Sequence, residues 1–381
     1  MVFLDHNATT PLHPDALETM LPWLQQRYGN PSSRHSMGRD ARAAIEQARE
    51  QIAALVNAQP KQVIFTSGGT EANNLALKGV LARRQGALWL SAIEHAAVLE
   101  PADALARQGH TVKRLPVSGQ GQLLVEAMPD NRPESLALVS VMWANNETGA
   151  VQPVAEVAQW CREHGVPLHT DAVQALGKLP VDFAASGASL MSLSAHKIYG
   201  PKGAGALILD PALDIWPQCH GGGQERALRG GTENVAAIVG FGAAAELARL
   251  DLARLRRQLE QQRQCLERGL REHLPDVVIF SDQVERIPNT VFFSIPGLEA
   301  ETLIMALDRD GFAVSSGSAC GSSHDEPSPV LRAMGVDREL AQAAVRVSLG
   351  RDSSSQDLET FLHSLCTQVK ALRGMAAATA W

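Results

Sequence analysis

Two side chains that could do chemistry together follow successive apolar runs of the chain. Asp171 lies at the end of "VPLHTDA" and Lys197 just beyond "ASLMSLSA", so both are predicted where parallel strands end and ligands bind. A lysine there can form a Schiff base with an aldehyde, and a carboxylate can keep a pyridine nitrogen protonated. The pair indicates a pyridoxal phosphate (PLP) site; a surface ion pair at a sheet edge is the alternative.

Two glycine-rich turns could bind the phosphate of such a cofactor. "TSGGTEANN" places the Thr70 hydroxyl and backbone N–H groups at a predicted helix start. "HGGGQERALRGGTEN" contains a second glycine-rich turn that ends at Thr232, just before a long predicted helix, although a flexible hinge would have the same composition. The first turn lacks the GxxxxGK[ST] pattern of a P-loop, so a nucleotide-triphosphate site is not expected there.

Four further polar residues follow or interrupt predicted strands. His95 follows an apolar run in "SAIEHAAVL", and Asn145 and Asn146 follow "LALVSVM". Each could equally be structural, the histidine through a hydrogen bond and the amides as turn formers. Arg346, in "AVRVSLGR", would need an anionic partner if its strand is buried, and a substrate carboxylate would fit its fork geometry. An edge strand with the arginine facing water is the alternative.

Cys320, in "SSGSAC", is the thiol with the most suggestive surroundings. The chain has five cysteines, an odd number, and none is in a CxxC pair. We therefore expect no disulfide framework and no metal site built by this chain alone, so a reactive thiol must act singly. On its own, Cys320 could be small filler in a turn.

The elements that must position these residues alternate between short strands and helices from about residue 40 to 275. This alternation predicts an α/β domain with a mainly parallel sheet. A charged helix from Val235 to His273 then leads to a segment with α+β character. We expect a large domain over 15–255 and a small domain over 1–14 and 256–381, which carries the cysteine loop.

The composition narrows the class of protein. The formal net charge is −7 and no long basic run occurs, which argues against nucleic-acid binding. The most apolar segment, "VAAIVGFGAAAELARL", is too short and too interrupted to span a bilayer. With no signal-peptide pattern at Met1, we expect a cytoplasmic protein.

Taken together, the ordered motifs resemble cysteine desulfurases of the NifS/IscS type, which have the type I PLP-enzyme fold with a seven-stranded, mainly parallel sheet. The resemblance runs through nearly the whole chain. It is carried by "LDHNATTP", "GNPSSRHSMGR", "FTSGGTEANN", "VSVMWANNETG", "HTDAVQALGKLPVD", "SAHKIYGPKG", "RGGTEN" and "SSGSACGSS".

The resemblance implies a role for each site residue. Lys197, Cys320 and His95 would be catalytic: Lys197 as the amine that holds PLP, Cys320 as the nucleophile and His95 against the ring. The other roles are Asp171 at the pyridine nitrogen, Gln174 at the ring hydroxyl, Thr70, Ser194 and His196 at the phosphate, Thr232 at the phosphate of the neighbouring subunit, and Asn146 and Arg346 at the substrate carboxylate, with Asn146 also near the cofactor.

The activity so implied is removal of sulfur from L-cysteine, giving L-alanine and a Cys320 persulfide. The persulfide would pass to a sulfur-acceptor protein such as an iron–sulfur scaffold, and the shared phosphate site implies a homodimer. A selenocysteine lyase or class V aminotransferase on the same fold is the alternative. A binding protein that has lost catalysis is a third reading, disfavoured because Lys197, Asp171, His95 and Cys320 are all present.

Overall fold

The structure is a computed structural model that describes residues 1–129, 135–317 and 327–379. Within these residues the chain forms eleven helices and thirteen strands. The helices are α1 (Pro14–Gln25), α2 (Ser36–Leu55), α3 (Gly69–Leu81), α4 (Ala96–Arg107), α5 (Val154–Glu163), α6 (Phe183–Ser186), α7 (Val235–His273), α8 (Ala300–Arg309), α9 (Pro329–Ala333), α10 (Arg338–Gln342) and α11 (Ser355–Thr379).

The strands belong to three sheets. Those of the large sheet are β2 (Val63–Thr66), β3 (Ala87–Ser91), β4 (Val112–Leu115), β5 (Leu136–Ser140), β6 (Leu168–Asp171), β7 (Leu190–Ser194) and β8 (Gly205–Leu209). Those of the smaller sheets are β1 (Val2–Phe3), β9 (Val278–Ile279), β10 (Thr290–Ser294), β11 (Phe312–Ala313), β12 (Ser315–Ser316) and β13 (Ala344–Ser348).

The large sheet has seven strands in the order β2-β8-β7-β6-β5-β3-β4, and it confirms the predicted α/β class. Only β8 opposes its neighbours, because it pairs antiparallel with both β2 and β7. The other strands therefore run the same way, and their carboxyl ends meet at one edge of the sheet. Asp171 ends β6 and Ser194 ends β7, so the sheet itself brings the "HTDA" and "SAHK" motifs together.

Helices cover both faces of this sheet, which explains why its central strands are apolar throughout. Residues of α3 and α4 form the core on one face, and residues of α2, α5 and the first half of α7 form the core on the other. The edge strand β4 (Val112–Leu115) and helix α1 (Pro14–Gln25) were not predicted from the sequence. In β4, Lys113 and Arg114 are exposed, so the strand has no continuous apolar run.

A second core lies around the four-stranded antiparallel sheet β12-β13-β10-β9. It packs against α8, α11 and the second half of α7, the 39-residue helix whose bounds agree with the sequence prediction. The N-terminal strand β1 pairs in parallel with β11 beside this core. The division at residues 15–255 stays a prediction.

Candidate active site

Lys197 lies in the short turn that follows β7, at the carboxyl edge of the large sheet. Its side chain is half-buried, and Nζ donates to the backbone carbonyls of Asn7 and Ala8, the latter at 2.8 Å. The N-terminal segment "HNATT" therefore crosses directly over the lysine. This segment positions the amine, a role that its turn-like composition did not reveal.

Asp171 is buried, with 5% of its surface exposed. One carboxylate oxygen accepts from Asn73 Nδ2 of α3 at 2.6 Å, and the other accepts from the backbone N–H of Val173 at 2.9 Å. The alternative of a surface ion pair between Asp171 and Lys197 is therefore wrong. The two donors fix the carboxylate at the sheet edge, where it could face a cationic ring nitrogen.

His95 caps the N-terminus of α4, because its Nδ1 accepts from the backbone N–H of Ala97 at 3.0 Å. Burial lowers the pKa of His95, Asp171 opposes this shift, and Lys197 and Arg346 add to it. These charges lie on β6, on the turn after β7 and on β13, so the fold places all four groups around one site. A neutral imidazole that accepts at Nδ1 carries its proton on Nε2 and can offer that N–H to a ligand.

Arg346 lies on β13, which is paired on both sides, so the edge-strand alternative is wrong. The guanidinium is buried and donates to Asp5 Oδ1 at 2.7 Å and to the Asn146 carbonyl at 3.2 Å. The sequence predicted that a buried Arg346 needs an anionic partner, and the structure shows that Asp5 is such a partner. In the described residues, Arg346 Nε has no hydrogen-bond partner.

Of the adjacent pair Asn145 and Asn146, Asn145 is a turn former, since its Oδ1 accepts from the backbone N–H groups of residues 147 and 148.

Asn7 connects most of these elements, and the sequence reasoning missed it. Its carbonyl accepts from Lys197 and from Gln174 Nε2, the latter at 2.9 Å. Its side-chain amide donates to the Asn146 carbonyl at 3.1 Å. Lys178 Nζ donates to Gln174 Oε1 at 2.8 Å and to Asn7 Oδ1 at 3.3 Å. The "LDHNATTP" motif could have flagged Asn7, but a lone asparagine among turn residues is usually conformational.

The candidate phosphate residues lie beside one another at the same edge. A Cβ at Gly69 would lie 2.8 Å from Val173 Cγ2 and 3.6 Å from Ser194 Cβ, so the start of α3 approaches the end of β7 closely. Ser194 Oγ is buried and has no hydrogen-bond partner among the described residues. Thr70 is exposed at the start of α3. A hydroxyl without a partner beside a helix N-terminus fits a phosphate group, so the donor set agrees with PLP.

His196, next to Lys197, is within 3.2 Å of the Thr9 hydroxyl through its Nδ1. Burial lowers the pKa of His196 to about 4, with lysines, first among them Lys197, adding to the shift. The ring is therefore neutral near neutral pH and would contribute a hydrogen bond rather than a charge to a phosphate.

Two predicted site residues are not part of this cluster. Thr232 is exposed on the loop before α7. Cys320 lies outside the described residues. The chain that leads to it is described, and Ser315 of β12 lies directly opposite Arg346 in the register of the small sheet.

Glu147 is a buried carboxylate that the sequence reasoning also missed. It accepts from the Ser328 hydroxyl, and a Cβ at Gly317 would lie 2.7 Å from its Oε2. Burial raises the pKa of Glu147 to about 7, while Ser328 and Arg346 act in the opposite direction. The group therefore changes charge near neutral pH, close enough to Arg346 for the two charges to interact.

The sequence and the fold of this chain are similar to those of known proteins. The profile of the class-V aminotransferase family matches residues 2–361. Cysteine desulfurase IscS of Dictyoglomus turgidum is 42% identical over 375 residues, covering 98% of this chain and 95% of the relative. A solved NifS-like protein aligns with a TM-score of 0.91 at 36% identity, covering 97% of this chain and 99% of that one. A solved SspA in complex with cysteine aligns with a TM-score of 0.82 at 33% identity, covering 92% and 99%.

Proposed function

The chain belongs to the class-V aminotransferase family as a PLP-dependent cysteine desulfurase, and we propose that the residues around Asn7 act on L-cysteine with Cys320 as the sulfur acceptor. In this reaction the carbon–sulfur bond of cysteine breaks and a sulfur–sulfur bond forms on Cys320. Cysteine and the protein thiol become alanine and a persulfide, so no external oxidant or reductant is needed. The observation that carries the proposal is the gathering of Asp171, His95, Lys197 and Arg346 around one site.

Each part of the cofactor has residues of matching chemistry. Lys197 would hold it covalently, with Asp171 at the ring nitrogen. Gln174 would face the ring hydroxyl, and the phosphate would take donors from Thr70, Ser194 and His196. When bound, PLP supplies an electron sink that weakens the bond between the β-carbon and sulfur.

The remaining residues of the site bind the substrate and move protons. Arg346 and Asn146 would hold the cysteine carboxylate; Arg346 is already desolvated, and Asp5 occupies part of its donor set. The Lys197 amine would take the α-proton of the substrate at Nζ. His95 would present Nε2–H to the ring or to the departing sulfur.

Chain length supports the assignment of Cys320 as the nucleophile. Cys320 is four residues beyond Ser316, so the two Cα atoms are at most about 14 Å apart in any conformation. Ser315 pairs with Arg346, the proposed carboxylate ligand, so the strand that precedes Cys320 in the sequence lies beside the proposed substrate site. A thiolate is the reactive form of such a nucleophile.

We also propose a homodimer in which Thr232 reaches the phosphate of the second copy. Helix α1 and the residues after it expose four large side chains, Leu17, Leu21, Leu24 and Tyr28, which a second copy would cover.

Among the residues that the structure describes, no helix is both long and apolar enough to cross a membrane. We propose the cytoplasm as the compartment and an iron–sulfur scaffold as the sulfur acceptor; IscS-named relatives support this choice.

The activity is tested by incubating the PLP-loaded protein with L-cysteine and a thiol reductant, and measuring alanine and sulfide. We expect both products in equal amounts, and Cys320→Ala should abolish sulfide release. Cys265→Ala, at an exposed position on α7, is the matched control and should retain full activity. Equal sulfide release by Cys320→Ala would contradict the nucleophile assignment. Preference for selenocysteine, or amino transfer to a keto acid, would favour the alternative enzyme classes.

A further inference from the structure

The loop that carries Thr232, residues 219–232 and called the Thr232 loop below, contains an unusual turn. Glu225, Arg226 and Ala227 have φ values of 43°, 59° and 61°. Non-glycine residues rarely adopt this left-handed conformation, and a run of three persists only where tertiary contacts hold it. The contacts that hold this turn therefore indicate what the loop is built to do.

The main contact is a buried ion pair between Glu225 and Arg49 of α2. Arg49 donates to both carboxylate oxygens, through Nη2 at 2.7 Å and Nη1 at 2.9 Å. The backbone N–H of Phe65 on β2 donates to Glu225 Oε2 at 2.8 Å. The side chains are 5% and 1% exposed, and the Arg49 guanidinium also covers the Phe65 ring. The turn is thus fixed to the strand that leads into the first phosphate turn.

Gln224 connects this ion pair to the residue before Thr232. Gln224, next to Glu225, accepts from the backbone N–H of Gly231 through Oε1 at 3.1 Å. The arms of the loop are joined as well, because Gly230 N–H donates to the Cys219 carbonyl at 3.0 Å. Fixing Glu225 therefore fixes the residue directly before Thr232.

A second ion pair ties the same loop to the start of α3. Arg229 Nε donates to Glu71 Oε1 at 2.9 Å, and Glu71 Oε2 accepts from the Ser67 N–H at 2.8 Å. Glu71 follows Thr70 in sequence. The Thr232 loop is therefore an ordered projection of the large domain, which argues against the flexible hinge considered from its glycine content.

We propose that the Arg49–Glu225 ion pair is a positioning device that holds Thr232 in place to bind the phosphate of PLP in a second copy of the chain. This rests on the proposed function, in which Thr232 is a phosphate ligand across the dimer. Arg49 and Glu225 are buried against each other and would act on the cofactor only through Gln224 and Gly231. A buried pair is costly to desolvate and is weak evidence for stability alone, which is consistent with a role in geometry.

The test is a double-mutant cycle on PLP affinity, measured by removing the cofactor from the purified protein and titrating it back. We expect Thr232→Ala and Glu225→Gln each to weaken binding by about 10- to 100-fold, the effect of losing one hydrogen bond to a charged group. Because Glu225 acts through Thr232, the double variant should bind no more weakly than Thr232→Ala alone. A multiplied loss in the double variant would overturn the proposal.

Glu267→Gln is the matched control, since Glu267 is a buried glutamate paired with Arg263 and Arg286 in the small domain. It should lower the melting temperature without changing PLP affinity. If Glu225→Gln does not fold, Arg49→Lys, which keeps the charge but loses the two-bond geometry, is judged by the same cycle. Unchanged affinity in Glu225→Gln with weakened Thr232→Ala refutes the positioning role only. Wild-type protein that binds no PLP, or unchanged affinity in Thr232→Ala, refutes the underlying function or residue assignment and the inference with it.

Discussion

Replacing Glu147 by glutamine should make the protein more stable at high pH and have little effect at low pH. Burial raises the pKa of Glu147 from its ordinary 4.5 to about 7. Between these pH values the folded chain keeps a proton that the unfolded chain releases. The protonated group's stability contribution is therefore present below pH 4.5 and lost as pH rises through 7. Glutamine, which resembles the protonated acid, is free of this loss.

The size of the effect follows from the two pKa values. Relative to a neutral side chain, the Glu147 carboxyl lowers the free energy of unfolding by about 3 kcal/mol at pH 8 and by about 1 kcal/mol at pH 5, where only the unfolded chain has lost the proton. The difference in unfolding free energy between Glu147→Gln and wild type should thus grow by about 2 kcal/mol over this range. The Ser328 hydroxyl can still donate to the amide oxygen, so the contact itself is kept.

The assay is denaturant unfolding of the PLP-loaded wild-type protein and of the Glu147→Gln variant at several pH values between 5 and 8. Glu156→Gln, at an exposed position on α5, is the control and should show the same pH dependence as wild type. A constant difference between Glu147→Gln and wild type across the range would refute the reasoning, because it would mean that Glu147 loses its proton at the same pH in the folded and the unfolded chain.

Three further predictions concern the site and the thiols. Mixing Lys197→Ala chains with Thr232→Ala chains, at a PLP concentration too low to load Thr232→Ala dimers, should restore about a quarter of wild-type activity, since half the dimers would be mixed and each would hold one intact site; no recovery would contradict sites shared across a homodimer. Arg346→Lys should raise the KM for cysteine by about 10-fold or more, because lysine cannot make two parallel bonds to a carboxylate; an unchanged KM would remove Arg346 from substrate binding. Burial raises the pKa of the Cys161 thiol to about 12, so iodoacetamide at pH 8 should modify exposed Cys265 and spare Cys161 until the protein unfolds, as peptide mass mapping would reveal.

The sequence predicted the elements that follow from local pattern. Continuous apolar runs gave β3, β5, β6, β7 and β8, because a strand covered by helices on both faces has no polar face. Predicted strands of one direction must end at one edge, so Asp171 and Lys197 could be expected to share a site. Ser194 was predicted there only from the family resemblance.

Contacts between residues far apart in the chain were beyond this reasoning. Asp5 pairs with Arg346 across 341 positions, and Arg49 pairs with Glu225 across 176. Such pairs produce no periodic pattern in the sequence. A polar residue that faces water therefore cannot be distinguished by pattern from one that pairs with a distant residue. The N-terminal segment likewise gave only turn chemistry, yet Asn7 lies between Lys197, Gln174 and Asn146.

By itself, then, the sequence determined the α/β sheet, the long helix α7 and the chemical types at the strand ends, because hydrophobic periodicity and strand direction are local properties. Tertiary structure alone decided which groups are held in place: Asp5 on Arg346, Asn7 over Lys197, and Arg49 under the loop that carries Thr232. These contacts form only when folding closes long stretches of chain, and their strength comes from burial that no single segment provides.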